Sequence, residues 1–102
     1  MIDIVFKKKG SYIGGFSIKG HSKTANKGED IVCAGVSALA QSALLGLGEH
    51  LNRNVRYEVK SGNMFVELLD EPDELTEAIL TTMRLGLSEI AKLYPEAVRL
   101  RS

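Results

Sequence analysis

The chain is poor in the residues that often mark a binding site, with no tryptophan, two prolines and one cysteine among 102 residues. A single cysteine excludes an internal disulfide and fits a reducing compartment. The 13 basic and 13 acidic residues cancel, which gives no global reason to expect direct nucleic-acid or membrane binding. The one cysteine and two histidines lack metal-ligand spacing, and no Gly-Lys-Ser/Thr triplet marks a phosphate loop. We therefore expect no metal and no other cofactor.

The opening residues lack the features of a targeting segment. Residues 1–4 enter a strand-like pattern directly, without the basic stretch and apolar run of a signal peptide. The longest apolar stretch is interrupted by Ser, Gln and Gly and is too short to span a bilayer. These observations predict a soluble, cytoplasmic, single domain over residues 1–102.

Hydrophobic periodicity predicts two hairpins, each followed by a helix. Alternation over residues 2–6, 12–19, 55–60 and 64–68 indicates four strands, with a bulge or close backbone approach at Gly14 and Gly15. A largely buried helix is predicted from Ile31 to about Leu47, and a second after residues 70–74, with Leu75, Ile79, Met83, Gly86 and Ile90 at helical spacing. Residues 98–100 suggest a short last strand. The order ββαββα(β) predicts an α+β two-layer sandwich whose antiparallel or mixed sheet is covered by two helices.

The one cysteine, Cys33, follows His21 by twelve residues, at the predicted start of the first helix. Unpaired N–H groups and the helix dipole at that position favour a thiolate and an oxyanion. A loop histidine folded over the thiol is suited to act as its proton partner. The alternatives are ordinary ones, because a cysteine in an apolar helix is most often an inert, buried, small hydrophobe, and a loop histidine is most often solvated.

The neighbouring residues each have a functional and a structural interpretation. Asp30 is predicted to be the N-cap of the first helix, and capping alone accounts for it. Ser37 lies one turn beyond Cys33 and either approaches the thiol or bonds back to its own helix. Gly20 and Gly28, which bound the polar loop, are either hinges or residues of positive φ. His50 is interpreted as stabilising the end of the first helix, and residues 7–9 as a solvated basic turn.

The motif as a whole resembles that of the ribosomal-processing cysteine proteases called Prp. The resemblance rests on Gly20-His21-Ser22, a loop closing at Gly28, and Asp30-Ile31-Val32-Cys33-Ala34 followed by Ser37-Ala38-Leu39. Length, the first hairpin and the acidic second helix agree with it, so it covers most of the chain. It implies a cytoplasmic, homodimeric endopeptidase that removes the N-terminal extension of large-subunit ribosomal protein twenty-seven, a precursor peptide being its partner, in support of ribosome assembly.

The resemblance also assigns roles at matching positions. Cys33 is implied to be the nucleophile and His21 the general base and acid of a dyad, while Asp30, Ser37, Gly20 and Gly28 are supporting residues. The loop between His21 and Cys33 is implied to be mobile and to order around the substrate. The family often has a small residue, a glycine and an aromatic after the histidine, whereas this chain has Ser22-Lys23-Thr24. That departure concerns substrate preference, including the family's cleavage beside aromatic residues, more than the chemistry.

Two functions of other classes are compatible with the same residues. One is a non-catalytic ribosome- or peptide-binding module in which Cys33 is structural. The other is a redox-sensing thiol that forms a sulfenic acid and needs an external resolving thiol.

Overall fold

A computed structural model describes the backbone of residues 1–20 and 27–101 and the side chains of 1–20 and 31–101. His21 and Ser22-Lys23-Thr24 lie outside these residues, as does the side chain of Asp30. The elements follow the predicted order: β1 (Ile2–Lys9), β2 (Tyr12–Lys19), α1 (Lys27–Leu45), a π-helical turn (Gly46–His50), β3 (Val55–Lys60), β4 (Asn63–Leu68), α2 (Glu74–Leu93) and β5 (Val98–Arg101).

The five strands form one mixed sheet in the order β3-β4-β2-β1-β5. Neighbouring strands are antiparallel except β5, which pairs parallel to β1 with Ile2 opposite Val98. Both helices cover one face of the sheet, and the core between the layers includes Phe16, Leu80 and Leu87, each at most 1% exposed. The predicted α+β two-layer sandwich and the predicted last strand are therefore confirmed.

Gly14 and Gly15 in β2 show both of the predicted features, a bulge and a close backbone approach. The register between β1 and β2 shifts between Lys7 and Lys8, leaving Gly14 as the extra residue of a bulge. A Cβ on Gly15 would collide with the carbonyl oxygen of Val66 on β4. The backbone of β4 therefore approaches β2 more closely than a side chain at position 15 permits.

The first helix differs from the prediction at its start. It begins at Lys27, so Asp30 lies inside the helix and is not its N-cap, and Gly28 belongs to the helix rather than to the loop. Lys27 and Glu29 have good helix propensity, which lets the helix extend backwards from the apolar run. Cys33 is consequently the seventh helical residue, beyond the first-turn N–H groups that lack intrahelical partners.

The first helix is also less buried than predicted, and the second helix likewise buries only one face. In α1 and the π-helical turn, one stripe (Val32, Val36, Ala40, Ala43 and Leu47) is buried, whereas Ile31 and Leu45 are mostly exposed. In α2 the buried positions are Thr76, Leu80, Met83 and Leu87, and Leu75 is 58% exposed. The prediction of a largely buried first helix is wrong, because each helix presents a single face to the sheet.

The span Ile31–His50 is long and apolar enough, by length and composition alone, to cross a membrane. This corrects the expectation that every apolar stretch is too short. A core helix of a soluble protein can have the same properties, and the buried stripe of this span packs into the core cluster of the domain.

Two aspartates, Asp70 and Asp73, stabilise connections between elements by accepting hydrogen bonds on their ionised carboxylates. Asp70, after β4, accepts hydrogen bonds from the backbone N–H and the side-chain amide of Asn54 at 2.7 and 3.1 Å. The backbone bond, followed by the side-chain bond, lowers the pKa of Asp70 below its ordinary value of 3.8. Asp73 caps α2 in a capping box with Thr76, and hydrogen bonds from Arg53 and Thr76 lower its pKa as well.

We expect acid to destabilise the fold partly through Asp70. Because its folded-state pKa lies below the unfolded value, its contribution is present above about pH 3.8 and is lost as the pH falls through the lowered value. Melting temperatures recorded between neutral pH and about pH 3 should therefore decline less steeply in Asp70→Asn than in the wild type. Glu71→Gln, at the exposed neighbouring position, is the control and should follow the wild type. Equal slopes for Asp70→Asn and the wild type would contradict this assignment.

Candidate active site

Cys33 lies in a cleft of about 360 Å³ between α1 and the β3–β4 hairpin. Its side chain is half-buried and packs against the core cluster. The flanking Val32 and Val36 are almost completely buried, which fixes the helical face that carries the cysteine. The remaining lining comes from both layers of the sandwich: Ile2, Ile18, Gly20, Val36, Ser37, Gln41, Val59, Lys60, Ser61, Gly62, Asn63 and Met64.

The helical wall of the cleft continues from Cys33 through Ser37 to Gln41, which are spaced by four residues and so share a face. The Gln41 side-chain amide donates to the Ser37 hydroxyl oxygen at 2.6 Å. Ser37 is thus one turn from the cysteine in the same cleft, and the Gln41 amide is the partner of its hydroxyl oxygen. The two polar side chains present donors and acceptors to whatever enters the cleft.

The opposite wall is the β3–β4 hairpin. Val59 on β3 is 45% exposed although it lies on the helix-facing side of the sheet, because β3 is an edge strand beyond the cover of the helices. Lys60 and the turn that follows complete the rim. The floor is apolar and is formed by Ile2, Ile18 and Met64. The cleft therefore combines an apolar floor with a polar rim, as ligand sites commonly do.

Gly20 connects the end of β2 to this hairpin. Its backbone N–H donates to the Gly62 carbonyl at 3.0 Å, and its φ of 105° lies in the region that favours glycine. A Cβ at this position would collide with the carbonyl oxygen of Met1. The interpretation of Gly20 as a residue of positive φ is confirmed, and it places the residue before His21 at the edge of the cleft.

The structure brings together Cys33, Ser37 and Gly20 among the predicted site residues. Asp30 and Gly28 lie in the first turn of α1, and the place of His21 is outside the described residues. Sequence reasoning missed Gln41 and Val59. The spacing of Gln41 from Ser37 was an available signal, whereas Val59 is brought to the cleft by strand pairing that the local sequence does not specify.

Among the described residues, no group of three or more His, Cys, Asp or Glu side chains is placed to hold a metal ion. The chemistry available in the cleft is that of one thiol beside polar side chains. The arrangement is suited to a nucleophilic attack by sulfur on an extended ligand lying between α1 and the hairpin.

Comparison with known proteins identifies the family of the chain. The sequence model of the cysteine protease Prp family matches residues 1–99. The chain belongs to the cysteine protease Prp family. A Prp relative is the ribosomal processing cysteine protease Prp of Staphylococcus aureus, which is 29% identical over 102 residues, covering 97% of this chain and 94% of the relative.

Solved structures of Prp have the same fold. The S. aureus Prp in complex with a substrate peptide superposes with a TM-score of 0.88 at 23% identity, with 100% of both chains covered. The S. aureus Prp with a covalently linked product peptide gives 0.86 at 24% identity, covering 99% of this chain and 98% of that one. A Streptococcus mutans protein gives 0.85 at 24% identity, covering 99% and 92%. The predicted family and the predicted class of enzyme, a cysteine protease, are confirmed.

Proposed function

We propose that this chain is a cysteine endopeptidase that removes the N-terminal extension of large-subunit ribosomal protein twenty-seven, with Cys33 and His21 as a catalytic dyad. The observation that carries the proposal is the half-buried Cys33 thiol in a cleft lined by apolar and polar residues. Membership of the Prp family supports it, as does the peptide covalently linked to the S. aureus relative.

The chemistry follows the usual course of a cysteine peptidase. His21 takes the thiol proton, and the Cys33 sulfur attacks the carbonyl carbon of the scissile peptide bond. His21 then returns the proton to the leaving amine as the C–N bond breaks, which leaves an acyl group on sulfur. A water molecule, deprotonated by His21, hydrolyses that thioester and regenerates the thiol.

The position of Cys33 in the helix affects how strongly the helix activates the thiol. The unpaired N–H groups of α1 belong to its first turn, and Cys33 follows that turn. We infer that the helix dipole contributes less at the sulfur than a first-turn position would allow, since the effect falls off within one turn. The proton partner therefore has a larger share in activating the thiol.

The decisive experiment is incubation of the protein with the precursor of ribosomal protein twenty-seven. Intact mass measurement should detect a shortened protein and a released N-terminal peptide. The same ribosomal protein without its extension is the control and should be unchanged. An intact precursor that nevertheless binds the protein would contradict the peptidase proposal and favour the non-catalytic binding module.

Substitution of Gln41 tests whether the cleft binds substrate away from Cys33. Gln41 lies eight positions after Cys33 in the helix, about 12 Å along the axis, so it should contact substrate away from the scissile bond. We expect Gln41→Ala to raise KM about three- to ten-fold with little change in kcat, because uniform binding is lost. Ser42→Ala is the matched control, since Ser42 is the exposed next residue and lines the groove between the two helices. A fall in kcat at unchanged KM would contradict this role.

We further propose that the protein acts in the cytoplasm as a single-domain homodimer. Several large apolar side chains on or next to the helices are more than half exposed, namely Ile31, Leu45, Leu75, Leu85 and Leu93. Exposed apolar surface of this kind often marks a protein–protein contact. Ile31 and Leu45 of this set lie on the first helix, so we propose that helix as a dimer face, and sedimentation of Leu45→Lys against the wild type tests that choice.

A further inference from the structure

The sheet has a second face, turned away from the helices, on which charged side chains lie in cross-strand rows. One row runs through Lys7, Gly15, Glu67 and Arg56, and a second through Asp3, Lys19, Asn63 and Lys60. On β5, Arg99 and Arg101 extend this face opposite Asp3 and Val5. We call this surface the open face.

The open face carries a cationic surplus that the whole-chain charge conceals. Its cations outnumber its carboxylates by six (Lys7, Lys19, Arg56, Lys60, Arg99 and Arg101) to three (Asp3, Glu58 and Glu67). The chain as a whole is neutral, so the remaining residues carry a matching acidic surplus. A neutral total therefore does not exclude a polyanionic partner on one face.

Two lysines of the open face have uncompensated charge within the described part of the chain. Arg56 pairs with Glu67 at 3.0 Å, Lys60 with Glu58 at 3.6 Å, and Arg99 with Asp3 at 2.8 Å. Lys7 and Lys19 are exposed, and no described carboxylate lies within ion-pair distance of either. Their ammonium groups are thus available to an external anion.

An aromatic ring lies between these cations. Phe65 lies in a third cross-strand row, between the two described above, opposite Ser17 on β2 and Glu58 on β3. The Lys7 ammonium lies 5.9 Å and the Arg56 guanidinium carbon 5.3 Å from its ring centroid. The surrounding depression, about 450 Å³, is lined by Lys7, Ser17, Lys19, Arg56, Tyr57, Glu58, Asn63 and Phe65.

We propose that the open face binds single-stranded RNA. The ammonium groups of Lys7 and Lys19 contact phosphates, and an unstacked base packs against the Phe65 ring and the Arg56 guanidinium plane, with the Asn63 amide within the same depression. Sheets that present an aromatic and cations to solvent recognise single-stranded RNA in this way. A second copy of the chain fits less well, because two such faces would oppose cation to cation.

This site is separate from the peptidase cleft. The cleft lies on the helical side of the sheet, and of the residues that line it only Asn63 also lines the depression on the open face. RNA and peptide can therefore be bound at the same time. The inference stands whether or not the chain cleaves the proposed ribosomal protein.

The test is fluorescence anisotropy with a labelled, mixed-sequence RNA of about twelve nucleotides, a length within the usual site sizes. We expect the double variant Lys7→Glu/Lys19→Glu to bind at least about ten-fold more weakly than the wild type, and to reduce the dependence of affinity on salt, since about 0.7 counterions are released per phosphate contact in single strands. Lys92→Glu, the same change on α2 at a lysine paired with Glu89, should bind as the wild type does.

A second variant distinguishes specific binding of RNA from binding of any polyanion. Phe65→Leu keeps apolar bulk but removes the stacking surface, and should weaken RNA binding about three-fold or more while leaving heparin binding unchanged. Thermal melts confirm that each variant is folded. No RNA binding at low salt, equal binding by the double variant and the wild type, or equal loss of RNA and heparin binding in Phe65→Leu would each overturn the proposal.

Discussion

Cys33→Ala is expected to abolish cleavage of the ribosomal protein precursor, with kcat falling by at least about four orders of magnitude. In the proposed mechanism the thiol sulfur forms the acyl intermediate, and among the described residues no other thiol lines the cleft. Removing it leaves only binding and the local polarity of the site, which contribute a small residual rate. The rate of product formation under single-turnover conditions measures the loss.

The same substitution should leave the fold intact. Cys33 is half-buried and shares its helix with a separate buried stripe, so we expect a stability change of about 1 kcal/mol or less. Ala34→Ser, a change of one atom at the exposed next position of α1, is the matched control and should retain full activity. Cleavage by Cys33→Ala at a rate comparable to the control would place the nucleophile elsewhere and exclude the dyad.

Gly15→Ala is expected to cause the largest loss of stability from any single added methyl group in the sheet interior, about 3 kcal/mol. The new Cβ would collide with the backbone carbonyl of Val66, and backbone in the middle of a sheet cannot move aside as a flexible side chain can. The strands β2 and β4 would have to separate, with loss of hydrogen bonds at the centre of the sheet. Urea denaturation measures the change in the free energy of unfolding.

Gly48→Ala is the matched control for this prediction. A Cβ at Gly48 has no neighbour within 4 Å, and the residue lies in the π-helical turn that continues α1. The added methyl restricts the unfolded chain, so we expect no loss and a gain of up to about 1 kcal/mol. A Gly15 variant as stable as this control would show that β4 does not approach β2 as closely as described.

Local periodicity specified the elements of this fold but not how they pair. The alternation in residues 2–6 and 12–19 predicted β1 and β2, and the glycines at 14 and 15 predicted their irregularity. The parallel pairing of β5 with β1 joins the two ends of the chain, which no local pattern specifies, and the exposure of Leu75 depends on which face of α2 meets the core. Helical spacing alone leaves that choice open to within one residue.

For the site, too, the local sequence predicted one part and missed another. Cys33 and Ser37 were predicted from a contiguous motif, and both line the cleft. Asp30 was misplaced because the propensity of the residues before it extended the helix by about one turn. The other wall, at Val59, comes from a hairpin more than twenty residues away in the sequence, so no spacing along α1 points to it.

The parallel pairing of β1 with β5 has a practical consequence for preparing the protein. Ile2 lines the cleft and the Met1 carbonyl abuts Gly20, so an affinity tag placed before Met1 would emerge beside the cleft that we propose to bind substrate. Arg101 pairs instead with Val5, about 10 Å further along the sheet at the usual rise per residue. A tag at the carboxyl end would leave the entrance clear, and activity assays should therefore use that end.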